Sequence, residues 1–140
     1  MILVDTGVML FALGRRTHGI HPWQLELRRL LDAGETLLIP AIVMQEVLAG
    51  ARNQENYERL SQELLEKVTI RAASIEEHRL AARIVYECRA AGVTTGAVDA
   101  LIAAQAIAEG IPLATADSDY HRIALVWPRL KLHGLTGTAM

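Results

Sequence analysis

The sequence predicts an α/β fold, a central parallel sheet of four to five strands with helices on both faces in three layers. Short continuous apolar runs alternate with longer segments of helical periodicity, the signature of strand–crossover–strand units. Hydrophobic residues make up 51% of the chain and aromatics only 4%, so the core must close from Ala, Val, Ile and Leu on tightly packed elements. That composition excludes a disordered chain. At 140 residues the expectation is one domain, spanning 1–140.

Residues 1–5, MILVD, read as a buried parallel strand that ends at an acid. Thr6 and Gly7 then suggest a turn, and residues 14–22 a polar, basic loop. Residues 23–33 carry Trp23, Leu27, Leu30 and Leu31 against Glu26, Arg28 and Arg29, the stripe of an amphipathic helix that Gly34 closes. A second strand is expected at 36–39. Pro40 suits the start of the next helix, 41–52, because proline lacks the N–H that a helix start leaves unpaired. Residues 56–67 form a more polar helix and 68–72 a weaker third strand. Ser74 with Glu77 three positions on is a capping box, and Ile75, Leu80, Ile84, Val85, Cys88 and Ala91 continue as a stripe to Gly92. Residues 96–109 are apolar nearly all round, predicting a buried helix ended by Gly110. A fourth strand at 112–115, a turn into a short helix at 117–120 and a fifth strand at 130–135 complete the pattern.

The longest uncharged run is ten residues, 36–45, whereas a membrane-spanning helix takes about 20. No membrane segment is expected. An acid precedes the first bases, the reverse of a secretory leader, and Cys88 alone permits no internal disulfide. The expected location is the cytoplasm.

The informative charges are the carboxylates. Four of the five Asp residues, Asp5, Asp99, Asp117 and Asp119, stand in or beside apolar segments. Glu46 has Ile42, Val43, Ala49 and Gly50 three and four positions away, which predicts a carboxylate projecting from a packed face. Asp99 repeats this with Ile102 and Ala103. A carboxylate buried without a partner costs several kcal/mol, so something positive must balance such a group of acids. Asp5 and Asp117 follow strands, where open α/β sheets gather their ligands, and helices starting nearby can bring Glu46 and Asp99. The expectation is one acidic pocket. Oxygen-only donors favour Mg²⁺, with Mn²⁺ as a substitute. Zinc is disfavoured, because His18, His21, His78, His121 and His133 are scattered and Cys88 lies on a packing stripe. Plain readings stand beside these: Asp5, Asp117 or Asp119 as helix caps, Glu46 or Asp99 paired with one of twelve arginines.

Four blocks, MILVDTGVML, VMQEVLAG, TTGAVDALIAA and LATADSDY, together resemble the PIN-domain ribonucleases, most closely the VapC-type toxins of toxin–antitoxin pairs. They occur in the family's order over residues 1–120. The resemblance implies a PIN-like three-layer fold, with Asp5, Glu46, Asp99 and Asp117 as the catalytic acidic quartet and Asp119 at its rim. Thr6 and Thr115 match positions where the family places a hydroxyl near the metal, and Tyr120 stands where phenylalanine is usual. It further implies an RNA substrate, Mg²⁺ dependence, a homodimer and a VapB-like antitoxin partner, cleavage leaving a 5′-phosphate.

The chemistry of such a cluster is independent of the name. Carboxylates holding one or two Mg²⁺ ions can lower the pKa of water and stabilise charge on a phosphoryl oxygen. Asp5, Asp99 and Asp117 are the expected metal-binding residues, with Glu46 orienting water. With the five candidate acids set aside, 14 bases face 11 acids, a mild bias toward phosphate. Arg15 and Arg16, with His18, and Arg122, with His121, are candidate RNA contacts; solvated surface arginine is the plainer reading of each. Trp23 and Tyr120 are candidate base-stacking aromatics. The helix pair in 41–67 is the expected antitoxin clamp. A haloacid-dehalogenase-type phosphatase would need a second Asp where Gly7 stands. The stronger alternative is a non-catalytic PIN-fold module that binds RNA or protein.

Overall fold

The computed structural model describes residues 1–14 and 19–135. Arg15, Arg16 and His18 lie outside the described residues. Five strands form one wholly parallel sheet: β1 (Ile2–Val4), β2 (Leu37–Pro40), β3 (Thr69–Arg71), β4 (Leu113–Ala114) and β5 (Leu132–His133), in the order β3-β2-β1-β4-β5. β1 and β4 are buried throughout, as their unbroken apolar runs require.

Among the described residues seven helices connect the strands: α1 (Thr6–Ala12), α2 (Pro22–Asp32), α3 (Ala41–Ala49), α4 (Gln54–Lys67), α5 (Ile75–Ala90), α6 (Ala97–Glu109) and α7 (Asp119–Val126). They pack in two groups, α1 with α2 and α3 and then α4, and α5 with α6 and α7. The chain steps from β1 to β2 to β3 in one direction and returns beyond β1 for β4 and β5. Right-handed crossovers therefore put the two groups on opposite faces. Among the described residues no helix is long and apolar enough to cross a membrane.

The local chemistry accounts for the elements. Ser74 and Glu77 form the capping box that starts α5. α6 buries seven residues from Ala100 to Ile107, and Gly110 ends it in the left-handed conformation, φ 68°. Pro40 closes β2 and caps α3, which stops at Ala49 rather than 52. Two expectations need correction. Thr6 and Gly7 open α1 instead of forming a turn, because the Asp5 carboxylate caps the helix by accepting from the Val8 N–H at 2.8 Å. Ile75 is 79% exposed and lies off the packing stripe, since the buried face of α5 is Ala81, Ile84 and Cys88.

Candidate active site

β1 lies between β2 and β4, so connections leave it in opposite directions and open a crevice at the carboxyl ends of β1 and β4. Asp5 follows β1, and Thr115 and Asp117 follow β4. α3 brings Glu46, the first turn of α6 brings Asp99, and the α7 side supplies Tyr120. All but the buried Thr115 line one cleft of about 400 Å³, with Thr6, Gly7, Phe11, Ile102 and Ala116. The four acids of the expected quartet share that space.

Each acid is held differently. Asp5 is 4% exposed. Besides the Val8 N–H, it accepts from the Thr115 hydroxyl at 2.5 Å. Thr115 in turn accepts from the Asp117 N–H at 3.0 Å, and the Asp117 carboxylate accepts from the Asp119 N–H at 2.9 Å, so one chain of hydrogen bonds sets the loop after β4. Asp99 accepts from the Tyr120 hydroxyl at 3.3 Å, and Glu46 from the Thr6 hydroxyl at 2.6 Å. Thr6 and Thr115, expected near the metal from the resemblance, are therefore partners of Glu46 and Asp5.

Glu46 corrects the sequence reading. It is exposed at the cleft mouth, because α3 buries Val43 and Val47 while Ala49 and Gly50 lie at the surface. The two aromatics expected to stack on bases are also displaced: Trp23 is 1% exposed and Tyr120 2%, both spent in the core. Phe11, unremarked in the sequence, is the partly exposed aromatic of the cleft. Its signal was its position, one helical turn beyond Gly7, legible only once 6–12 is read as a helix.

The electrostatics are those of uncompensated negative charge. The Asp5 carboxyl is raised from 3.8 to about 6, first by burial and then by the neighbouring Asp117 and Asp99, against the hydrogen bonds from Thr115 and Val8. Asp99 is raised as well, first by burial and then by Asp117, Asp119 and Glu46, while the Tyr120 hydroxyl opposes the shift. Among the described residues, the guanidinium on this group is that of Arg122, which pairs with Asp119 at the rim. Asp99, Asp117 and Asp119 each offer a carboxylate oxygen, all within 4.8 Å of one another. Such an oxygen-only donor set fits a hard divalent cation. Asp119, expected only at the rim, belongs to this trio; Asp5 lines the same cleft with both oxygens already hydrogen-bonded.

A three-layer sheet whose switch-point crevice is lined by acids defines a class, and the chain belongs to the PIN domain family, whose profile matches residues 2–126. Solved structures repeat the fold. A chain of VapBC2 from Rickettsia felis, bound to a DNA fragment from its promoter, is 24% identical over 96% of this chain and 98% of that one, with a TM-score of 0.79. A chain of FitAB bound to an IR36 DNA fragment is 21% identical over 100% and 99%, with a TM-score of 0.80. DNA-bound VapBC from Salmonella typhimurium gives 18% over 96% and 97%, with a TM-score of 0.74. At these identities the likeness is one of fold.

Proposed function

We propose that this chain is a divalent-metal-dependent endoribonuclease, the VapC-like toxin of a toxin–antitoxin pair. The observation that carries the reading is the meeting of Asp5, Glu46, Asp99 and Asp117, drawn from across the chain, in one cleft where burial and mutual repulsion are left uncompensated. A site without a charged ligand has no physical reason to gather such groups. Asp99, Asp117 and Asp119 would hold the cation, Mg²⁺ or its substitute Mn²⁺, with Asp5 behind them. When bound, the cation acidifies water and stabilises charge on a phosphoryl oxygen.

The chain's own residues do the positioning. Thr115 and the Val8 N–H fix Asp5, Tyr120 fixes Asp99, and Thr6 holds Glu46 at the mouth, where it can orient the attacking water. Arg122 is exposed beside Asp119 and remains the candidate contact for an RNA phosphate. A solved structure of similar fold is a toxin–antitoxin complex from Klebsiella pneumoniae and others are VapBC assemblies, which supports an antitoxin partner; the same reading includes a homodimer. Tyr57 and Leu65 are exposed on α4, supporting the antitoxin surface on 41–67. A groove lined by Leu25, Leu31, Lys67 and Val68 extends that surface to α2.

The test is cleavage of a randomised RNA pool with and without Mg²⁺. Wild type is expected to leave 5′-phosphate ends and to stop in chelator, and Asp99→Asn to be slower by more than about a hundredfold, since even outer partners of a metal cost 10–100-fold. Equal cleavage by the two proteins would discard the assignment.

A further inference from the structure

In the proposed function the acids of the cleft meet a phosphate; the same cleft has an aromatic wall. Phe11 lines the cleft one helical turn along α1 from Gly7, on the same face. Four residues of helix carry it about 6 Å along the axis from Gly7, which itself lies against the Asp5 carboxylate. The ring is partly exposed and does not stand alone. His21 stacks on it with centroids 4.0 Å apart and planes inclined by only 9°. The imidazole is itself held, because its Nδ1 accepts from the Trp23 N–H at 3.1 Å as the cap of α2, and the His21 N–H donates to Gln24 at 2.8 Å. A second residue of the network ties the two helices, with Gln24 donating to the Ala12 carbonyl at 3.3 Å. Phe11 is thus a partly exposed ring of the cleft wall, backed by a second fixed ring.

From this geometry we infer that Phe11 is a nucleobase platform: a nucleotide adjoining the cut phosphate stacks its base on the Phe11 ring, with His21 as backing. The inference rests on the nuclease reading and adds a binding subsite for a base, independent of which base, because every base offers a π face. Neither Trp23 nor Tyr120 can serve, as both are buried. A preorganised ring also takes little ordering on binding, so the contact favours affinity and register over chemistry.

The experiment starts from an oligoribonucleotide carrying a cut mapped on the randomised pool. Variants of it with one abasic nucleotide, scanned through positions flanking the cut, are cleaved by wild type, Phe11→Leu and Phe11→Tyr. In wild type, loss of the base at one position is expected to lower kcat/KM about tenfold, mainly through KM, the scale of one stacking contact. Phe11→Leu should show about that same loss on the intact substrate and no further loss at that position, whereas Phe11→Tyr should keep the wild-type profile. Equal abasic profiles for Phe11→Leu and wild type overturn the inference and leave the nuclease reading standing. If Phe11→Leu does not fold, the wild-type scan alone decides, and a flat profile overturns it. A wild type that cuts nothing in the pool removes both together.

Discussion

Two groups of carboxylates in this protein face opposite fates. At the end of β3, Arg71 grips Glu77 with two nitrogens at 2.8 and 2.5 Å and reaches Glu109 through Nε at 2.5 Å. That guanidinium, aided by the Ser74 N–H, holds the Glu77 carboxyl below its ordinary value although the side chain is 6% exposed. In the cleft, the Asp5 carboxyl is raised to about 6. Both are shielded from solvent, but Asp5 lies deeper and lacks the guanidinium that Glu77 has. One cluster is complete within the chain and knits β3, α5 and α6 together; among the described residues the other has only the Arg122 guanidinium, at its rim.

Removing the cation from the complete cluster should turn it into a copy of the incomplete one. Arg71→Met leaves Glu77 and Glu109 without a guanidinium and is expected to cost about 3 kcal/mol of unfolding free energy in urea, with RNA cleavage by the surviving folded protein unchanged. A loss near zero would show that pairing does not separate the two clusters.

The reverse change should stabilise the cleft. Between pH 4 and 6 the folded chain keeps a proton on Asp5 that the unfolded chain releases, so this group's stabilisation is full below about pH 4 and is lost as the pH rises through 6. Asp5→Asn keeps an acceptor for the Val8 N–H and removes the charge. At pH 7.5, without metal, it is expected to gain roughly 1–3 kcal/mol and several degrees of Tm while losing cleavage. A wild-type stability that stays level from pH 4 to 7 would contradict the uncompensated charge.

The smallest effect sharpens how the cleft is held. Tyr120→Phe preserves the buried ring and deletes one hydrogen bond to Asp99. Mn²⁺ affinity, read by calorimetry, should fall about tenfold at unchanged metal-free Tm. Unchanged affinity would make the hydroxyl a bystander.

Much of this was readable from the chain. The apolar runs ending at Asp5 and near Asp117, the Ser74–Glu77 box and the all-round apolar helix after Gly96 are local signals, and local signals place strands and helices. α1 was half legible: Asp5 read as a helix cap implies it, and the structure bears that out, but seven residues beginning Thr-Gly give less than two turns of pattern. The environment of Glu46 was misjudged for a different reason. A short helix with apolar residues on several faces does not declare which of them is covered, and that is settled by the β-sheet beneath. Phe11 was missed with that pattern, while Trp23 and Tyr120 were overvalued because an aromatic's burial is a tertiary fact.

The strand order has a consequence for synthesis. β1 sits in the middle of the sheet, yet its neighbour β4 is made more than a hundred residues later. A nascent chain that has emerged as far as α5 can already lay β1, β2 and β3 side by side, but Asp5 still lacks Thr115, and Asp117 does not yet exist. The acidic cleft is therefore among the last features of the chain to be completed, since Asp5 waits for Thr115 and its neighbours Asp99 and Asp117 are made late.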